Sequence, residues 1–112
     1  MGVKETKFIW MDGKFVEWKD AKVHILTHAL HYGSAVFEGI HSYKTDNGAA
    51  VFRLDDHIKR LFHSAHALSI KPRFTKNQLK NAIKRIIKIN KVSDAYIRPL
   101  AYYGYGNIGV YP

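Results

Sequence analysis

Seven histidines are the first candidates for chemistry in this sequence. His24, His28 and His31 stand at i, i+4 and i+7, and His57, His63 and His66 form a second group. A metal centre needs converging ligands, usually with a carboxylate or thiolate among them. No Glu follows His28 at the spacing of a metalloprotease helix, so the pattern favours structural or surface histidines over a metal site. Lys76, Lys80, Lys84 and Lys88 recur at every fourth position, a stripe that could follow a phosphate backbone if Arg or aromatic readers stood beside it. They do not, and the stripe reads first as a solvated helix face, with nucleic-acid binding as the runner-up. Ser34 follows Gly33 without the Gly-x-Ser-x-Gly elbow of a hydrolase. Gly104-Tyr105-Gly106-Asn107-Ile108-Gly109 has dinucleotide-loop spacing, but no helix pattern follows it to receive a pyrophosphate. Met1-Gly2-Val3-Lys4-Glu5-Thr6 fits a myristoylation template with no polybasic cluster beside it, and an ordinary start is the simpler reading.

Any such group must be positioned by regular elements, and these are legible. Phe8 to Met11, an Asp12-Gly13 turn and Phe15-Val16 predict a β-hairpin, because both turn residues tolerate positive φ. Lys22 to Tyr32 is ambiguous, a strand that yields to a loop or a short turn of helix. Val36 to Tyr43 reads as one strand with two faces, Phe37, Gly39, His41 and Tyr43 on one and Val36, Glu38, Ile40 and Ser42 on the other. Asp46-Asn47-Gly48 turns the chain back into a second hairpin over Ala49 to Arg53. A helix over about 55–68, capped by Asp55 or Asp56, carries the apolar stripe Ile58, Leu61, Phe62, Ala65 and Leu68. Arg60 projects away from that stripe. After Pro72 a second helix runs from about Lys76 to Asn90 with Leu79, Ala82, Ile83, Ile86 and Ile87 inward. Ala95 to Tyr103 alternates as a strand that puts Tyr96 and Arg98 on one face. The order predicts an α+β two-layer sandwich, a mainly antiparallel sheet with two helices on one face.

Size and composition agree with one folded unit. The chain has 112 residues, 46% hydrophobic and 24% charged, with no repeat or linker. It has no cysteine, which excludes a disulfide scaffold, a zinc ribbon and a thiol nucleophile. The formal charge of +9 attracts polyanions in general, whether nucleic acid or a phosphorylated ligand. No apolar run approaches the roughly 20 residues of a membrane span, and the N-terminus lacks a signal-peptide core, so a cytoplasmic address is expected.

One stretch is far more specific. His28-Ala29-Leu30-His31-Tyr32-Gly33-Ser34-Ala35-Val36-Phe37-Glu38-Gly39-Ile40 resembles the signature of the branched-chain amino-acid aminotransferases, which are class IV, pyridoxal-phosphate-dependent enzymes. Ile9-Trp10 with Gly13, the helix segment with His57 and Arg60-Leu61, and Ala95-Tyr96-Ile97-Arg98-Pro99-Leu100 follow in that family's order. The closing Gly109-Val110-Tyr111-Pro112 resembles its Gly-Val-Asn-Pro. The likeness covers essentially the whole chain but only the N-terminal, smaller domain of the family.

The resemblance implies a division of labour. The lysine that holds the cofactor belongs to the larger second domain, and no lysine here matches it, so residues 1–112 are expected to form a small domain inactive on its own. Arg60 matches the arginine that grips the phosphate of pyridoxal 5′-phosphate; read from the helix alone, an exposed arginine is the favoured reading. Tyr32, Phe37 and Gly39 match walls of the substrate side-chain pocket, although Phe37 alone could be plain core. Tyr96 and Arg98 match a pair that lets one pocket take either a branched aliphatic chain or the side-chain carboxylate of glutamate. Tyr-x-Arg-Pro here favours the L-branched-chain enzymes over D-amino-acid transaminases and aminodeoxychorismate lyases. Implied partners are branched-chain amino acids, 2-oxo acids, the large domain and further copies in a homo-oligomer. His41, where many relatives have Arg, and Tyr111 for Asn depart from the pattern.

Overall fold

Most of the apolar side chains foreseen on the two long helices meet in one place. The computed structural model describes residues 4–104. Its elements are a hairpin of β1 (Phe8–Met11) and β2 (Lys14–Glu17), a 3-10 turn at Trp18–Asp20, α1 (His28–Tyr32), β3 (Ala35–Phe37), β4 (Ile40–Thr45), β5 (Gly48–Val51), α2 (Leu54–Ala67), α3 (Lys76–Ile89), β6 (Ala95–Ile97) and β7 (Leu100–Tyr102). Ile58 from α2, Ile83 and Ile87 from α3, Leu54 and Ile40 form the buried cluster, with Val51, Phe62, Leu79, Ile86, Val92 and Ile97 packed around it. Both helices therefore cover one face of the β5-β4-β6 sheet, and every strand pairing is antiparallel. The α+β two-layer arrangement is as expected.

The expected single sheet is three small ones, and the reason is local. The strand foreseen over Val36–Tyr43 breaks at Glu38-Gly39, and the one foreseen over Ala95–Tyr103 breaks at Arg98-Pro99. These breaks lie opposite each other, since Phe37 pairs with Leu100 and Ile40 with Ile97. Pro99 has no N–H to give a ladder, so pairing stops there. The Glu38 N–H instead donates to the Pro99 carbonyl at 3.2 Å and stitches the two breaks together. Alternation survives nonetheless: Glu38, Ile40 and Ser42 are buried while Phe37, His41 and Tyr43 are exposed.

Other departures have equally specific causes. Neither Asp55 nor Asp56 caps α2; the cap position is Arg53, in the left-handed region at φ 52°, and the helix begins at Leu54 because that side chain enters the core. The two aspartates fall in the first turn, where they complement the positive end of the helix. Leu68 lies just past the helix and is exposed rather than inward. No strand forms over Lys22–Leu26, and the ambiguous segment resolves into a loop and the short α1. The Asp12-Gly13 turn forms as expected, with φ of 52° and 87°. Its hairpin is held to the end of α3 by Asn90, whose side-chain Oδ1 accepts from the Phe8 N–H at 2.8 Å and whose Nδ2 donates to the Phe8 carbonyl at 2.9 Å. The Gly-rich match from Tyr105 onward, the closing tetrapeptide and the myristoylation template's Met1–Val3 lie outside the described residues. Among the described residues no helix is long and apolar enough to cross a membrane.

Candidate active site

The paired strand breaks gather four of the six candidate residues. Tyr96 ends up across from His41 in the β4–β6 ladder, and Arg98 emerges where that ladder stops. The Arg98 Nη2 donates to the Tyr96 hydroxyl at 3.1 Å. Its guanidinium carbon stands 4.4 Å from the Phe37 ring centroid and 5.5 Å from that of Tyr96, so the charge is flanked by two aromatic faces. Gly39 lies beneath the Tyr96 ring. A Cβ at Gly39 would approach the Tyr96 hydroxyl oxygen to 2.7 Å and Cε2 to 3.0 Å, so the Tyr96 ring keeps this position only over a glycine, and a side chain here would push it aside. Phe37 and Tyr96 are each about half exposed, at 54% and 51%, so the cluster is an open surface and not a core. His41 joins it, edge-on to Tyr96 at 5.4 Å and stacked with Tyr43 at 6.2 Å. With its oxygen already accepting from Arg98, the Tyr96 hydroxyl has its own proton to donate. The arrangement offers a cation, a hydroxyl donor and an apolar wall side by side, a set of groups that can take a carboxylate or an aliphatic chain.

Among the described residues the ring contacts of Tyr32 are with other partners. It closes α1, is 63% exposed, and its ring meets His28 at 4.5 Å and His31 at 6.3 Å. His28 in turn bonds Ser34 through Nδ1 at 2.7 Å, and His31 bonds the Ile25 carbonyl through Nε2 at 2.8 Å. Both histidines thus serve local structure. Among the described residues no group of three or more potential ligands converges as a metal site.

Arg60 occupies a second centre, built around a residue the sequence reading did not single out. His57 and Arg60 lie three positions apart on α2 and so share a helix face. Opposite them is Glu38, held at the strand break and only 6% exposed. Glu38 Oε1 accepts from His57 Nδ1 at 2.9 Å and from Arg60 Nη2 at 2.7 Å, and Oε2 accepts from Arg60 Nε at 2.9 Å. Because a carboxylate only accepts, His57 carries its proton on Nδ1. The Arg60 hydrogen bonds hold the Glu38 carboxyl below its ordinary range against the opposing effect of burial, and His57 adds to the lowering. Arg60 itself is 66% exposed, in keeping with its place off the apolar stripe. With Phe52, Arg53, Asp56 and His57 it lines an open cavity of about 360 Å³. The missed signal was an acidic residue on the buried face of a strand, which calls for cations on whatever packs against it.

The lysine stripe is partly committed. Lys80 pairs with Asp55 at 2.9 Å, and Lys76 sits 5.8 Å from the Phe62 ring centroid. Among the described residues nothing in this geometry favours nucleic-acid binding.

Comparison with known families matches residues 35–111 to the class IV amino-transferases. The chain belongs to this family. This class IV chain is 43% identical over 102 residues to the branched-chain-amino-acid aminotransferase of Pseudomonas aeruginosa, covering 91% of itself and 33% of that protein. Its fold superposes on the crystal structure of the Escherichia coli branched-chain amino acid aminotransferase with a TM-score of 0.91 at 42% identity, over 96% of this chain and 36% of that one. It superposes equally on the T.th. branched-chain amino acid aminotransferase complexed with N-(5′-phosphopyridoxyl)-L-glutamate, with a TM-score of 0.90 at 45% identity, over 94% and 35%. The class IV chain spans about a third of the length of these relatives.

Proposed function

We propose that residues 1–112 are the N-terminal small domain of a branched-chain amino-acid aminotransferase whose larger domain carries the cofactor lysine. The complete enzyme moves the amino group between L-leucine, L-isoleucine or L-valine and 2-oxoglutarate. The observation that carries this reading is the Phe37–Gly39–Tyr96–Arg98 cluster, an apolar wall and a guanidinium within reach of the same ligand. A pocket serving both half-reactions must accept an aliphatic chain and a carboxylate in turn. Phe37 and the Tyr96 ring packed over Gly39 suit the first. Arg98 and the Tyr96 hydroxyl suit the second by charge-assisted hydrogen bonding. Tyr32 is assigned to a further wall of the pocket, on family resemblance.

The residues present also fit pyridoxal 5′-phosphate. Arg60 presents an exposed guanidinium with one edge fixed by Glu38 and the other unengaged among the described residues, the donor set a phosphate prefers. When bound, that cofactor serves as amino carrier and electron sink, and the protein contributes binding and orientation. In this chain Arg60 holds the phosphate end, while Tyr96 and Arg98 orient the substrate carboxylate. The reading extends to a homo-oligomer, supported by the apolar side chains left exposed around the cluster, and to the cytoplasmic address expected from the sequence.

The test uses protein expressed from the complete reading frame. Loaded with cofactor, it forms glutamate from L-leucine and 2-oxoglutarate, whereas the 112-residue chain alone does not. Arg98→Met raises the KM for 2-oxoglutarate by about 10- to 100-fold, the loss of one charged hydrogen-bonding partner, and changes that for the branched 2-oxo acid far less. Absence of turnover with every branched-chain substrate, or equal loss for both 2-oxo acids, overturns the assignment.

A further inference from the structure

Glu38 is an expensive residue for its position. It lies between Val36 and Ile40 on the inner side of the chain, is 6% exposed, and an apolar side chain there would avoid the desolvation of a carboxylate. What it gains is directional. The Nε and Nη2 of Arg60 form one edge of a rigid planar fork, and both are taken by Glu38, at 2.9 Å through Oε2 and 2.7 Å through Oε1. His57 donates to the same Oε1 at 2.9 Å and restrains the carboxylate in turn. The carboxylate is itself anchored through its backbone, whose N–H bonds Pro99 across the paired strand breaks. A long side chain on an exposed helix face is thereby held at one orientation, with Nη1 and the outer N–H of Nη2 left for an incoming anion.

We propose that Glu38 is the positioning residue of the phosphate site: it locks the Arg60 guanidinium before the cofactor arrives, so that little side-chain freedom is lost on binding. This rests on the assignment of Arg60 to the cofactor phosphate. It makes an unusual prediction about charge. Removing a carboxylate beside an anion site should strengthen anion binding if only net charge mattered, whereas loss of orientation weakens it.

The experiment measures equilibrium binding, by cofactor absorbance and protein fluorescence, to protein from the complete reading frame. The probes are pyridoxal 5′-phosphate and pyridoxal, which lacks the phosphate. Glu38→Gln is expected to weaken binding of pyridoxal 5′-phosphate by about tenfold, the usual consequence of removing a partner that orients a ligating group. Pyridoxal binding should change by less than about twofold, because Arg60 contributes only to the phosphate. Adding Glu38→Gln to Arg60→Gln should cost nothing further, since Glu38 acts through Arg60. Tighter binding of the phosphate form, equal weakening of both probes, or an additive double variant each overturns the proposal. If Arg60→Gln alone leaves pyridoxal 5′-phosphate affinity unchanged, the assignment of Arg60 has failed, and the role of Glu38 falls with it. A measurement without substitution stands beside these: in cofactor-free wild-type protein the Arg60 Nε–H should exchange with water more slowly than that of exposed Arg85. Equal exchange means the guanidinium is not held in advance, and the proposal is wrong.

Discussion

Gly39 and Tyr96 are coupled by occupied space, a relation that neither residue type announces by itself. A methyl group at Gly39 would sit 2.7 Å from the Tyr96 hydroxyl oxygen. The ring is half exposed and free to swing aside, so the collision is relieved by movement of the site and not by unfolding. Gly39→Ala is therefore expected to change stability by less than about 1 kcal/mol, within the range of substitutions that spare the core. It should also abolish the Tyr96–Arg98 hydrogen bond. Thermal melts check the first part, and the loss of contacts between the Tyr96 ring and the Arg98 guanidinium in NMR spectra checks the second. A large fall in Tm with the contact preserved would contradict this account. The same scale shows why the strand's alternation is readable: each residue from Phe37 to Tyr43 reports its own side, and the burial follows. It shows equally why Glu38 does not stand out in the sequence, since its importance lies in partners 19 and 22 positions away.

At the scale of elements, α2 and α3 differ in how their first turns are satisfied. α3 begins with a reciprocal capping box, in which the Gln78 N–H donates to the Thr75 hydroxyl at 3.1 Å and the Thr75 N–H donates to the Gln78 side chain at 2.8 Å. α2 has no side-chain cap and relies on Leu54 entering the core. Thr75→Ala should therefore destabilise the chain by about 1 kcal/mol, seen as a lower urea midpoint with an unchanged slope. No change in midpoint would mean the cap is redundant with the packing of Ala82, Ile83 and Ile87. The strands teach a different lesson. Pro99 is visible in the sequence, yet its effect on β3 and β4 comes through pairing: a donor missing from one strand interrupts its neighbour too.

Taken whole, the molecule buries one side of its sheets and leaves the other with aromatic side chains in view. Phe37 and Leu100 are cross-strand partners, 54% and 55% exposed, and Tyr43 and Tyr96 continue the same face at 52% and 51%. Adjacent apolar side chains on this scale usually mark a contact surface. The 112-residue chain should consequently self-associate, with a sedimentation coefficient that rises with concentration, and Leu100→Lys should suppress the effect. A strictly monomeric chain at all concentrations would show that Arg98 and the polar ends of the tyrosines solvate this face sufficiently.

The sequence by itself determined the elements whose signals are local: the Asp12-Gly13 turn, the two amphipathic helices, the alternating faces around Phe37 and Tyr96, and the motif order of a class IV aminotransferase. These depend on neighbours a few residues apart, through turn angles, helical period and strand alternation. Only the tertiary structure decided that two strands break together, that Tyr96 lies over Gly39, and that a buried glutamate meets Arg60. Each of these joins residues far apart along the chain. Their meeting is set by which strands pair, in what register, and which helix face covers them, quantities that local pattern leaves open and packing of the core resolves.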